Sequence, residues 1–127
     1  MNAPSGGNQP DPSVPKATIL VVQDEFLLRM ATAADLRGRG YRVIEAFGAD
    51  DARRALHAED SIALVLLDIT MAGEMNGLVL ARWIQVHHPR SKVLVTAAVH
   101  PDGDVPILAK PFRPVDLLLR IEAILRS

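Results

Sequence analysis

A chain of 127 residues, 49% apolar and 23% charged, is long enough to bury one core without staples. Its 14 basic and 15 acidic side chains leave a formal net charge of −1, so no electrostatic footprint for nucleic acid or an anionic membrane is expected. Cysteine is absent, which excludes disulfides, thiol nucleophiles and thiolate metal sites, and His57, His87, His88 and His100 stand at no metal-binding spacing.

Residues 1–16 are rich in Pro, Gly, Asn and Ser and poor in large apolar side chains. Such a segment cannot offset the entropy of ordering itself, so a disordered N-terminal tail is expected, with a single domain over 17–127. The start lacks the basic residues and apolar run of a signal peptide. No apolar stretch approaches the roughly 20 residues that span a bilayer. A soluble cytoplasmic protein is the expectation.

From there two kinds of segment alternate. Thr18–Val22, sequence TILVV, is β-branched and too short for a helix, so it reads as a strand. The span 25–37 has apolar residues at Phe26, Leu27, Met30, Ala33, Ala34 and Leu36, at helical spacing, and Gly38 and Gly40 close it. A second strand is predicted over 41–46 and a short helix over 50–58, with Ala52, Ala55 and Leu56 on one face. The span 62–69, IALVLLDI, is apolar at consecutive positions, as in a strand covered on both faces of a parallel sheet. Gly77–His87 is predicted as a helix with Leu78, Leu80, Ala81 and Ile84 inward, stopped by Pro89. Lys92–Ala97 is a fourth strand.

The rhythm then changes. Residues 98–106 hold two prolines, a glycine and two aspartates, which disfavour a full helix. A short fifth strand is predicted over 106–110. Pro114–Arg126 is a helix with proline in its first turn and Leu117, Leu118, Ile121, Ile124 and Leu125 on its apolar face. Leu117, Leu118 and Leu119 are consecutive, so one of them must face away. Five strands alternating with helices predict a parallel α/β sheet joined by right-handed crossovers. In such sheets the functional site lies beyond the carboxyl ends of the strands.

The residues at that rim are Gln23, Asp24 and Glu25 after the first strand, Asp68 after the third, Thr96 at the fourth and Lys110 after the fifth. Carboxylates and a carbonyl suit Mg²⁺, a hard ion that keeps several waters. One carboxylate can act as nucleophile toward a phosphoryl group. Lys110 can bind a phosphoryl oxygen, and the Thr96 hydroxyl can donate to another. Plainer roles stand beside these. Asp68 can simply end a strand. Asp24 and Glu25 can start a helix, where acids suit the dipole, and Glu25 fits that role better than ligation. His87 and His88 suit a helix end, and Trp83 reads as partly buried packing.

Four motifs in this order resemble the response-regulator receiver family: ILVVQDE, LVLLDITMAGEMNGL, VLVTA and AKPF, within residues 18–126. The resemblance implies a flavodoxin-like, doubly wound, five-stranded parallel sheet of order 2-1-3-4-5. It implies that Asp68 is the phosphoacceptor, with Thr96 and Lys110 on the phosphoryl group. It assigns Mg²⁺ to Asp24, Asp68 and the main-chain carbonyl of Thr70, with Gln23 reaching the ion through water. It names a sensor histidine kinase as donor and makes the chain a signalling module rather than an enzyme; the charge balance and the lack of a long apolar stretch leave nucleic acid and membrane out of the expected partners.

The chain also departs from the family. Gln23 replaces an acid, which predicts weaker Mg²⁺ binding. Ala72 stands where proline is frequent, while Gly73 and Gly77 supply turn flexibility. Ile107 takes the place of a switch aromatic, and the family's fourth helix is short or replaced by a loop. The last feature resembles a short stand-alone class, some of whose members partner HWE-type kinases. It predicts ordering of the loop 98–105 on phosphorylation. With the chain ending after its last helix, a single-domain regulator acting by protein contacts or as a phosphate sink is expected. The alternative is a pseudo-receiver, an interaction module never phosphorylated, which Gln23 and Ile107 favour. A small-molecule binder or hydrolase lacks its glycine-rich phosphate loop.

Overall fold

The computed structural model describes residues 14–70, 76–98 and 104–127. In chain order it contains β1 (Thr18–Val22), α1 (Phe26–Gly38), β2 (Arg42–Ala46), α2 (Ala49–Ala58) and β3 (Ile62–Asp68). There follow α3 (Gly77–His87), β4 (Lys92–Ala97), β5 (Ile107–Ala109) and α4 (Pro114–Arg126). The strands form one parallel sheet ordered β2-β1-β3-β4-β5, the order expected.

Alternation along the strands builds two cores. Leu20, Val22, Val65, Leu67, Val93 and Val95 face one side, where they meet Ala52 and Leu56 of α2 and Leu80, Ala81 and Ile84 of α3. Ile19, Val21, Leu64, Leu66 and Leu94 face the other, under Ala33 and Leu36 of α1 and Leu117 and Ile121 of α4. The middle strands are thus buried on both faces, which is why β3 reads as an unbroken apolar run. Residues 98–106 join β4 to β5, and of these Ala98 and Asp104–Pro106 are described and none is helical. The four helices of the described residues leave no counterpart to the family's fourth. Ile107 is buried in the core beside Val105.

Several element limits shift by a residue. Helix α1 starts at Phe26 because Glu25 caps it: its carboxylate accepts the N–H groups of Leu27 and Leu28. It ends at Gly38, and Gly40 follows at φ +99°, the left-handed turn that glycine permits. Tyr41 precedes β2, Ala49 joins α2, Ile69 lies past β3, and Pro106 and Lys110 flank β5.

The inward face of α1 is narrower than its apolar spacing suggests. Only Ala33 and Leu36 are buried, whereas Phe26, Leu27 and Met30 stand open to solvent. A helix advances 100° per residue, so Leu27 and Met30 fall on outer faces. Phe26 sits at the start of the helix, at the sheet's carboxyl rim. On α4, Leu117 and Ile121 are buried and Leu119 is the outward leucine.

Most of the expected tail lies outside the described residues. At its end the Lys16 N–H donates to the Gly40 carbonyl at 2.9 Å, and its ammonium sits 5.3 Å from the centre of the Tyr41 ring. Tyr41 is the chain's one tyrosine, so its ionisation can be followed alone. Burial, and next the charge of Glu122, hold its phenol above the ordinary tyrosine range. The folded state therefore prefers the protonated phenol, and stability falls as pH rises past the unfolded value. An ultraviolet titration is expected to place its midpoint above that of the urea-unfolded chain. Equal midpoints would refute this.

Candidate functional site

Asp68 closes β3 in the middle of the sheet, flanked by β1 and β4. Parallel register sets Asp68 beside Thr96, and the Ile69 N–H donates to the Thr96 carbonyl at 2.9 Å. Beyond β5, the Lys110 N–H donates to the Ala97 carbonyl at 2.8 Å, which anchors the lysine at the same rim. Val22 pairs with Leu67, so the next residues, Gln23 and Asp68, stand side by side.

The Asp68 side chain is only 7% exposed, yet it meets three donors. Its Oδ1 accepts the Thr70 N–H at 3.0 Å. Its Oδ2 accepts the Gln23 Nε2 at 3.2 Å and the Lys110 ammonium at 2.5 Å. A buried carboxylate needs such partners, and Lys110 supplies the opposing charge from a side chain that is 35% exposed. Thr96 is buried at the same rim. Sequence-distant residues thus converge as their strand positions implied. Asp24 is exposed at the end of β1, next to Gln23.

Two features depart from expectation. The first is the Gln23 amide. Its oxygen accepts the Glu25 N–H at 3.1 Å, so its nitrogen is the end turned to Asp68. An amide nitrogen bearing two hydrogens cannot ligate a metal or accept from its water. The second is Gly77. It has no left-handed backbone, so turn flexibility is not its use. A Cβ there would collide with the Asp68 carbonyl oxygen and lie 2.7 Å from Ile69 Cα and 2.8 Å from Asp68 C. Its N–H donates to the Ile69 carbonyl at 2.9 Å. Helix α3 therefore sits directly on the backbone that carries Asp68. Asn76, whose side chain caps α3 by accepting the Val79 N–H, completes that junction.

The donor set fits Mg²⁺ with most of its waters retained. Asp24 and Asp68 provide carboxylates and Thr70 a carbonyl, all hard oxygens. Among the described residues no group of three or more His, Cys, Asp or Glu side chains is placed to hold a metal ion. The cavity at Asp68 is about 50 Å³, lined by Gln23, Thr96, Lys110 and apolar neighbours. A slot that size holds about a water or two, far below a metabolite pocket. A reacting group would have to approach from the open rim. Residues 71–75, with Ala72 and Gly73, and residues 99–103, with His100, lie outside the described residues, as does most of the loop expected to order on phosphorylation. Trp83 is half-buried against the core and its ring stacks on His87 at 4.6 Å, which agrees with a packing role.

Comparison with known proteins agrees with this geometry. The model of the response regulator receiver domain matches residues 19–122. The transcriptional regulatory protein GltR of Pseudomonas aeruginosa is 32% identical over 120 residues, covering 86% of this chain and 49% of that protein. The chain spans about half the length of the curated relatives it matches. Among solved structures, the receiver domain of NtrX from Brucella abortus superposes with a TM-score of 0.76 at 32% identity, covering 86% of this chain and 98% of that one. The receiver domain of the hybrid histidine kinase CckA gives 0.73 at 29% identity, covering 85% and 98%. No helix of the described residues is long and apolar enough to cross a membrane.

Proposed function

The chain belongs to the response regulator receiver family, a family of signalling modules, and from that membership we propose that Asp68 is its phosphoacceptor. The observation that carries this is the Asp68 carboxylate, held by Lys110, Gln23 and the Thr70 N–H at the open end of β3. An Asp68 oxygen attacks the phosphorus of a phosphohistidine or a small phosphodonor, the bond to the donor breaks, and an acyl phosphate forms. Lys110 then moves its charge onto a phosphoryl oxygen, and the Thr96 hydroxyl donates to another. Mg²⁺, bound by Asp24, Asp68 and the Thr70 carbonyl, would neutralise phosphoryl charge. Residues 17–127 form the receiver unit, with 1–16 as an N-terminal extension, and the domain acts in the cytoplasm through protein contacts. The donor is a sensor histidine kinase, for which the match to a receiver domain of a hybrid histidine kinase is the support, and we propose the HWE type.

The test is intact mass after incubation with Mg²⁺ and acetyl phosphate. A gain of one phosphoryl group that is lost in mild base is expected. No gain at any Mg²⁺ concentration, nor from a kinase, would establish the pseudo-receiver alternative instead.

Gln23 bears on the metal. With one acid fewer, the site binds Mg²⁺ more weakly than a site with an acidic pair. Gln23→Glu is expected to tighten Mg²⁺ by roughly tenfold, read by titration calorimetry. An unchanged dissociation constant would remove Gln23 as the cause.

A further inference from the structure

Gln23 is 9% exposed, and each of its polar atoms is engaged. Its main-chain N–H donates to the Ala46 carbonyl at the end of β2, at 2.9 Å. Its carbonyl accepts from Arg29 Nη1 at 2.9 Å, and Arg29 also pairs with Glu45 of β2 at 3.3 Å. Its side-chain oxygen holds the Glu25 N–H and its side-chain nitrogen holds Asp68 Oδ2. Turning the amide over would set two donors together at Glu25 and two acceptors together at Asp68, so the orientation is fixed. Glu25 in turn accepts the N–H groups of Leu27 at 3.2 Å and Leu28 at 3.0 Å, the open donors of the first turn of α1. A line of hydrogen bonds, joined through the covalent frames of Gln23 and Glu25, thus runs from the Asp68 carboxylate through a rigid, planar amide to the cap of α1.

We propose that Gln23 is a positioning residue that passes the phosphorylation state of Asp68 to the first turn of α1. The proposal rests on Asp68 being the acceptor. Forming the acyl phosphate removes the carboxylate charge from Asp68, so the Gln23 nitrogen loses a charge-assisted acceptor whichever oxygen carries phosphorus. The nearest replacements are phosphoryl oxygens farther out along the rim. Whether the amide follows them or slackens, its oxygen moves with its nitrogen, because both lie in one plane. The Glu25 N–H then shifts or loses its partner, and the cap it belongs to responds. A change of state is transmitted only through an interaction that differs between the states, and this hydrogen bond is such an interaction. The route needs no aromatic at position 107 and no residue of the β4–β5 connection.

The test is amide exchange by NMR on the full chain with Mg²⁺ and acetyl phosphate, with phosphoryl occupancy read by intact mass on the same sample. Exchange at Leu27 and Leu28 is expected to change by roughly tenfold on phosphorylation, the scale of one charge-assisted hydrogen bond. The Gln23 side-chain amide protons are expected to shift as their charged acceptor disappears. Gln23→Glu keeps an oxygen for the Glu25 N–H but has no donor, and Gln23→Met keeps the length without either. At matched occupancy, both variants are expected to lose the response at Leu27 and Leu28. A mass gain without change at these amides in the native sequence overturns the relay and leaves the acceptor intact. So does the same response persisting in both variants. An absent mass gain overturns the acceptor, and the relay with it. Circular dichroism identifies a variant that has not folded, and the native-sequence arm decides without it.

Discussion

Asp68→Asn is expected to abolish the labile phosphoryl gain completely. Asparagine has nearly the shape of aspartate but no carboxylate to attack phosphorus, so the loss is chemical and not steric. Its structural cost follows from the contacts. The Thr70 N–H can keep an oxygen acceptor, as it has at Asp68 Oδ1. The amide nitrogen then faces Gln23 Nε2 and the Lys110 ammonium, where two donors already meet Oδ2. Both lose an acceptor, which at full burial would cost about 1.5–3 kcal/mol each. Lys110 is 35% exposed and can turn to water, which removes most of its share, so the loss falls below the full-burial range, at about 1–2 kcal/mol in all, read from a urea midpoint. The two measurements separate the roles. A folded Asn variant that still gains a base-labile phosphoryl group would move the acceptor elsewhere, with Asp24 the first to examine.

How much of this was legible beforehand differs residue by residue. β1, β4, α3 and α4 have the limits expected, because their patterns are bracketed by polar residues or prolines. The meeting of Asp68, Thr96 and Lys110 was legible because a parallel sheet puts every strand's carboxyl end on one rim, and three strand assignments sufficed. The inward face of α1 was not legible. Its N-terminal half is apolar nearly all round, and spacing cannot choose among faces when Phe26, Leu27, Leu28 and Met30 all qualify. The orientation of Gln23 was hidden for a different reason. A side-chain amide offers a donor and an acceptor on equal terms, and only the Glu25 N–H, placed by the turn into α1, decides between them. Sequence could name Gln23 as a missing acid but could not show that it is a donor to Asp68. Among the described residues no helix lies between Thr96 and Lys110, which the shortness of that span and the prolines inside it had made legible.

Gly77→Ala should be the most disruptive Gly→Ala change among the described glycines. Sequence suggests only that a glycine after the Asp68 loop eases a turn. The structure shows an ordinary helical start whose Cα lies against main chain, so an added methyl meets the Asp68 carbonyl oxygen, Ile69 Cα and Asp68 C. None of these is the end of a flexible side chain, and none can rotate away. Either α3 lifts off β3 or the backbone after Asp68 moves. Lifting α3 loosens Leu80, Ala81 and Ile84, all fully buried in the core. Overpacking of this kind costs about 3 kcal/mol. Moving the backbone shifts Thr70, whose N–H fixes Asp68 Oδ1. A misplacement near 1 Å at a reacting group can slow a reaction about a hundredfold. The variant is therefore expected to lose about 3 kcal/mol in urea unfolding and to take up the phosphoryl group at least tenfold more slowly while folded. Gly38→Ala is the matched contrast. Nothing lies within 4 Å of its added methyl, and its place in α1 favours alanine, so a gain of up to about 1 kcal/mol is expected. Equal midpoints for the two variants would show that α3 has room at Gly77, and that Asp68 is not held in place by the close seating of this helix.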